Sequence, residues 1–380
     1  MGQINWSELN QTLDEIDHSF EREPIGGFTF ALYHRGELVA HRAGGKASES
    51  KDFTEQTLAV AFSCTKGLVT ILIGRLVDQG MLDLDTPVSH YWPEFSRISP
   101  DLTVSEMMQH RAGLSAPRAN LTFAEAISPR GIVASLLEQE PLWKPGTGYA
   151  YHALTFGSLL QELAIRVSGK TLGQLLQSEI ARPLGVDAHI GVPAELQPSV
   201  AQLVAKEKYL TADAAPNTPA YWQERAITLG GACPVSHIGQ PGLGFNSPEC
   251  QQAELPGANG IMTAEALAKI WSAAVTTTDG VRLLTDETID KLTELKVDEP
   301  TVWGEEPYPL RGVGVMLHTP GFREFLSDAS FGHDGLGGQV GFADRKHQIG
   351  FGYITNLLRQ GDTEHVSWFK LVAKVRSLLD

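Results

Sequence analysis

The two ends of this chain mirror one another in secondary-structure pattern, and that symmetry constrains the fold more than any other feature. Near the start, Leu9, Leu13, Ile16 and Phe20 recur at intervals of four, three and four, the apolar stripe of a helix opening near Ser7. After a break at Pro24-Ile25-Gly26-Gly27, the segment FTFALY (28–33), the turn HRGE and LVAHR (38–42) read as a hairpin. Near the other end, GQVGFAD (338–344) and IGFGYITN (349–356) flank the turn RKHQ as two more strands, and Val366, Phe369, Val372 and Val375 mark a closing helix. The middle is mostly helical by period, at 66–79, near 103–109, 131–139, 153–167, 171–181 and 264–275. The expectation is an α+β, multi-domain fold: an antiparallel sheet flanked by N- and C-terminal helices, with a mostly helical inserted domain. Residues 1–90 plus 255–380 form the expected sheet domain, and 91–254 the helical one.

Composition narrows the function. With 42% hydrophobic and 20% charged residues over 380 positions, the chain can bury a sizeable core. A net charge of −15 with no run of Lys and Arg speaks against nucleic acid and anionic lipid as partners. The longest apolar block, Leu68 to Val77, is interrupted by Thr70, Gly74 and Arg75 and falls short of the roughly 20 residues a membrane span needs. The N-terminus MGQINWSELNQ lacks the basic leader and apolar core of an export signal. Three scattered cysteines, Cys64, Cys233 and Cys250, suit neither a disulfide framework nor a zinc site. A soluble, cytoplasmic protein is expected. The Gly- and Pro-rich stretch 235–260 shows neither period and is expected to be a long surface loop or lid.

One short motif carries chemistry. In AFSCTKGLVTILIGRLVDQG (61–80), Ser63 precedes Lys66 by three residues, so on a helix the two side chains share a face, while the apolar run behind them marks the helix as internal. A helix N-terminus favours an alkoxide, and partial burial lowers a lysine pKa towards that of a useful base. The same spacing also suits a plain helix cap followed by a solvent-facing lysine. The chain supplies its own control in Ser48-Glu49-Ser50-Lys51, which has no apolar helix behind it and reads as a solvated turn.

Two further segments offer partners. In KPGTGYAYHALTFG (144–157) two tyrosines precede a helix, and a tyrosine there can act as a base if cationic neighbours such as Lys66 depress its pKa, or can serve only as a packing anchor. In FGHDGLGGQVGFAD (331–344), glycines at 332, 335, 337 and 338 leave backbone N–H groups open as a strand begins, for a ligand or for a tight turn.

Taken in order, these motifs resemble those of serine hydrolases with the class C β-lactamase and DD-peptidase fold, and more narrowly the family VIII carboxylesterases. Supporting blocks are LVDQGMLDLDTPVSHYWPEF (76–95), LTVSEMMQHRAGLSA (102–116), YHALTFG and ELPGANGIMTAEALAKIW (254–271), so the likeness extends over most of 28–357. The resemblance implies a β-lactamase/penicillin-binding-protein-like fold with the active site between its two domains. It implies Ser63 as acyl-accepting nucleophile, Lys66 assisting its deprotonation, and Tyr151 as the motif tyrosine with Tyr149 in reserve. His333 stands where β-lactamases carry a lysine, followed by Asp334 and Gly335; substrate contacts fall to His333 and Gly335, and the oxyanion hole to the N–H groups of Ser63 and Leu336. Two departures, Ala153 for an asparagine and His333 for that lysine, remove groups that would bind a β-lactam carboxylate and favour neutral esters. The implied function is cleavage of small-molecule carboxylic esters, with short-to-medium acyl chains and no metal or organic cofactor. A β-lactamase, a D-amino-acid peptidase or an acyltransferase would share the motifs, and a non-catalytic binding member of the fold is the remaining alternative. An α/β-hydrolase is disfavoured because Gly113-Leu114-Ser115-Ala116-Pro117 lacks the second glycine of a nucleophile elbow.

Overall fold

In the computed structural model, which describes residues 4–128, 130–209, 214–294, 297, 299–304, 309–359 and 367–379, both ends of the chain contribute to one seven-stranded sheet. Its strands are β1 (Gly26–His34), β2 (Glu37–Ser48), β3 (Lys51–Asp52), β4 (Met316–Leu317), β5 (Ser330–Gly335), β6 (Gln339–Asp344) and β7 (Ile349–Thr355). They lie in the order β3-β2-β1-β7-β6-β5-β4, every neighbouring pair antiparallel. The two ends of the chain meet mid-sheet, β1 pairing with β7 from Phe28↔Thr355 to His34↔Ile349. The helices that position the site are α1 (Leu9–His18), α2 (Cys64–Asp78), α3 (Thr155–Ser168), α4 (Ala264–Val275) and α5 (Ser367–Leu379).

Strand alternation decides which helix covers which face. Phe28, Phe30 and Leu32 of β1 and Ile349, Phe351 and Tyr353 of β7 form one aromatic-rich layer with Leu13 and Ile16 of α1 and Trp368 and Leu371 of α5. Val366 lies outside the described residues; Val372 and Val375 face the core as their period predicts, joined by Trp368 and Leu371, while Phe369 is half-buried. Several of the intervening positions on the other face are small, among them Ala31, Gly350 and Gly352. A Cβ on Gly350 would stand 2.2 Å from the Ala268 carbonyl oxygen, and one on Gly352 2.4 Å from that of Ala264. Glycine there lets α4 lie with its backbone against the sheet. α2 packs beyond, and its all-round apolar sequence matches its setting, with twelve of its fifteen residues buried.

Two expectations need correction. The 171–181 helix is α-helical only over Leu172–Leu175 and continues as a π-helix over Leu176–Ala181. The 235–260 stretch is not a surface lid throughout, because it holds a helix at Pro248–Gln252 and is buried continuously from Leu255 to Gly260. That burial is satisfied by Asn259, whose side chain accepts from the Leu255 N–H at 2.9 Å and donates to the carbonyls of Cys250 and Ala253. Its end, Gly260–Met262, is the middle strand of a small sheet with Ala59–Val60 and Ala188–Ile190. No helix among the described residues is long and apolar enough to cross a membrane.

Candidate active site

Ser63 occupies the N-cap position of α2, yet its side chain caps no backbone N–H there. The turn into it is sharp: Phe62 takes φ 44°, a left-handed conformation costly for an aromatic residue. Its neighbours hold the turn in place. The Ala61 N–H donates to the Gly260 carbonyl at 2.8 Å, the Thr65 hydroxyl to the Phe62 carbonyl at 2.5 Å, and the Gly260 N–H to the Thr65 hydroxyl at 2.8 Å. The Ser63 hydroxyl is thereby left to face Lys66 and Tyr151.

Lys66 is fully buried, and Nζ has three partners: the Ser63 hydroxyl at 3.1 Å and the carbonyls of Ala153 and Gly257, each at 2.6 Å. Both carbonyls belong to segments that keep them free of regular structure. Ala153 lies just ahead of α3, while Gly257 sits in the loop pinned by Asn259. The approach depends on glycine, since a Cβ on Gly257 would stand 2.6 Å from the Leu154 carbonyl oxygen. Burial holds the Lys66 ammonium well below the ordinary lysine pKa, and the nearby Arg311 guanidinium adds to the shift.

Of the two candidate tyrosines, the structure brings Tyr151 to the site. Its ring centroid is 4.8 Å from Lys66 Nζ and its hydroxyl lies beside Ser63, whereas Tyr149 is buried away from the cleft with its carbonyl accepting from the Val302 N–H. The Tyr151 phenol does not shift down as the sequence suggested. Burial pushes it above its ordinary value despite opposition from Arg311 and Ser63. Two buried histidines support the ring from behind. His110 is 5.0 Å from Tyr151 by ring centroids and its Nδ1 accepts the His152 backbone N–H at 3.2 Å. His152 Nδ1 donates to the Ala150 carbonyl at 2.7 Å while Nε2 accepts from the Leu114 N–H at 3.2 Å. That arrangement needs a neutral ring, in keeping with a pKa that burial lowers to about 4.

The Gly-rich hairpin closes the opposite side. Gly335 crosses close to the residues before Ser63, because a Cβ there would stand 2.5 Å from the Ala61 carbonyl oxygen. Leu336 follows, exposed on the cleft. Among the described residues, neither the Ser63 N–H nor the Leu336 N–H donates to a protein group. His333 does not meet the expectation of a substrate-contacting side chain. It is 1% exposed, directs Nδ1 to the Asp334 carbonyl at 2.7 Å, and is kept neutral mainly by burial. The cleft instead receives fixed cations from elsewhere: Arg311, whose Cζ is 4.8 Å from the Tyr151 ring centroid, and Arg323, paired with Asp334 at 2.5 Å. The whole opening measures about 1100 Å³ and is lined by Ser63, Tyr151, Gly335 and Leu336.

This geometry meets the comparisons with known proteins at the same point. The family model described as Beta-lactamase matches residues 11–373. The chain belongs to the beta-lactamase family. Among relatives of this beta-lactamase-family chain, the Esterase/beta-lactamase LipL of Mycobacterium tuberculosis is 30% identical over 358 residues, covering 89% of this chain and 79% of the relative. EstA from Arthrobacter nitroguajacolicus Rue61a superimposes with a TM-score of 0.85 at 30% identity, over 100% of this chain and 98% of that one. A family VIII carboxylesterase gives 0.83 at 29% identity, over 98% and 99%. Family and relatives make the protein an enzyme of the serine-hydrolase type on the β-lactamase/penicillin-binding-protein-like fold.

Sequence reasoning missed Gly257 and Arg311. Gly257 contributes a carbonyl, which no side-chain pattern announces, although the ELPGANG block that contains it was noticeable for its glycines. Arg311, in PLRGVGV, carries no spacing signal at all.

Proposed function

We propose that the chain is a carboxylesterase that cleaves short-to-medium acyl esters through an acyl-enzyme on Ser63. The observation that carries this reading is the hydrogen-bond count at Lys66. An ammonium can donate to all three partners, but burial favours the neutral amine, which has only two N–H groups. Those two suit the Ala153 and Gly257 carbonyls, leaving the lone pair directed at the Ser63 O–H. Lys66 is then the base that accepts the proton as Oγ attacks the ester carbonyl carbon. The developing oxyanion is received by the N–H groups of Ser63 and Leu336. Tyr151, kept as a phenol by burial, gives its proton to the departing alcohol oxygen and is resupplied from Lys66. Water then attacks the acyl-enzyme by the same route in reverse, releasing the acid and restoring Ser63.

Esterase relatives and family membership support this reading over a binding protein built on the same scaffold. Three free cysteines, two of them buried, support a cytoplasmic setting. The test is labelling with a fluorophosphonate alongside turnover of p-nitrophenyl acetate, butyrate and decanoate. The expected result is an adduct on the Ser63 peptide, absent in Ser63→Ala, with faster turnover of the two shorter esters. An adduct that persists in Ser63→Ala would overturn the assignment.

A further inference from the structure

The cleft runs against the charge of the whole chain. The net charge is −15, yet the charged residues lining the opening are Lys208, Arg311, Arg323 and Arg359, with Asp334 the one acid among the described residues. Arg323 is neutralised by Asp334. Arg311 is not: only 6% exposed, it makes no hydrogen bond or ion pair through its guanidinium among the described residues, and its Nε is buried without a partner. Among the described residues no acid pairs with it: Asp334, the acid of the cleft, is held by Arg323, and the other groups that share its surroundings are Lys66 and the buried imidazoles of His110 and His333. The Tyr151 ring face recovers part of the cost of holding a desolvated cation, but a guanidinium fork is built to take an anion on two N–H groups. Elsewhere the same cleft is apolar, with Ile227, Val235, Ile238 and Phe245 on its walls.

We propose that Arg311 is the receptor for a carboxylate on the substrate, so that the preferred esters are acid-bearing: half-esters of dicarboxylic acids, or esters whose alcohol portion carries a carboxylate. The inference rests on the ester reading of the cleft and replaces the expectation of neutral substrates drawn from His333. The missing lysine's charge enters from a different segment of the chain.

The experiment compares kcat/KM for two matched pairs in wild type, Arg311→Gln and Arg311→Lys, with folding checked by thermal unfolding. One pair places the carboxylate on the acyl side, mono-4-nitrophenyl glutarate against its methyl ester. The other places it on the alcohol side, 4-acetoxybenzoate against methyl 4-acetoxybenzoate. The reading is the acid-to-neutral ratio within a pair, which cancels intrinsic reactivity between variants and any general effect of Arg311 on Tyr151. In at least one pair this ratio should fall about 10- to 100-fold in Arg311→Gln, and less in Arg311→Lys. Ratios unchanged in Arg311→Gln for both pairs, or cleavage of the neutral members alone, overturn the inference and leave the esterase reading standing. No cleavage of any of the four compounds by wild type overturns both.

Discussion

The four-residue spacing of Ser63 and Lys66 is repeated at Ser48 and Lys51, and these two copies could hardly differ more. Ser48 and Lys51 flank the tight β2–β3 connection, where Lys51 is exposed and donates to the Pro198 carbonyl at 2.6 Å. Ser63 and Lys66 sit at the start of a buried helix, with the lysine fully enclosed and held by two carbonyls from distant parts of the chain. Spacing brings two side chains together; enclosure gives them chemistry. A lysine in water remains an ammonium, whereas one stripped of water and given acceptors for two N–H groups becomes a base.

The largest expected effect contrasts the two serines. Ser63→Ala should lower ester kcat/KM at least about 10³-fold, while Ser48→Ala leaves it unchanged, measured on the same p-nitrophenyl ester. Next come the proton carriers. Tyr151→Phe should cost about 10²- to 10⁴-fold in kcat, with Tyr149→Phe far milder, and the opposite order would transfer the role to Tyr149. The pH profile separates the lysines in a further way. In the proposed mechanism Lys66 works as the neutral amine; with its folded pKa depressed by burial, kcat/KM should then rise with pH along the acid limb and level off above that pKa, well below the ordinary lysine value of 10.5. Lys51→Met should leave this limb where it is, and a limb insensitive to pH would remove Lys66 as the base. The smallest effect tests the enclosure itself. Gly257→Ala forces a shift against the Leu154 backbone and should cost about 1–3 kcal/mol in urea unfolding together with a modest loss of kcat.

The contrast also explains what could be read in the sequence. The strands of the frame were legible because alternation and period depend on neighbours along the chain, and β1, β2, β6 and β7 fall where the pattern placed them. Ser63, Lys66 and Tyr151 could be named from local motifs, and the structure brings all three together. What escaped was supplied across the fold: a carbonyl at Gly257, a guanidinium at Arg311, and the upward shift of Tyr151, which depends on how completely its surroundings exclude water. His333 misled for the same reason, since a motif position fixes where a residue lies along a strand but not whether its side chain reaches the cleft.

The pairing of β1 with β7 has a consequence for the making of the protein. The Gly27 N–H donates to the Asn356 side chain at 2.8 Å across 329 positions of sequence, so the first hairpin to leave the ribosome waits for almost the last strand before its inner edge is covered. During that wait β1 is an open apolar edge, a place for mispairing between nascent chains. Closure of the sheet also fixes β5–β6 and with it the wall opposite Ser63. Activity should therefore arise late and all at once, and a chain cut short before β7 should be both inactive and prone to aggregate.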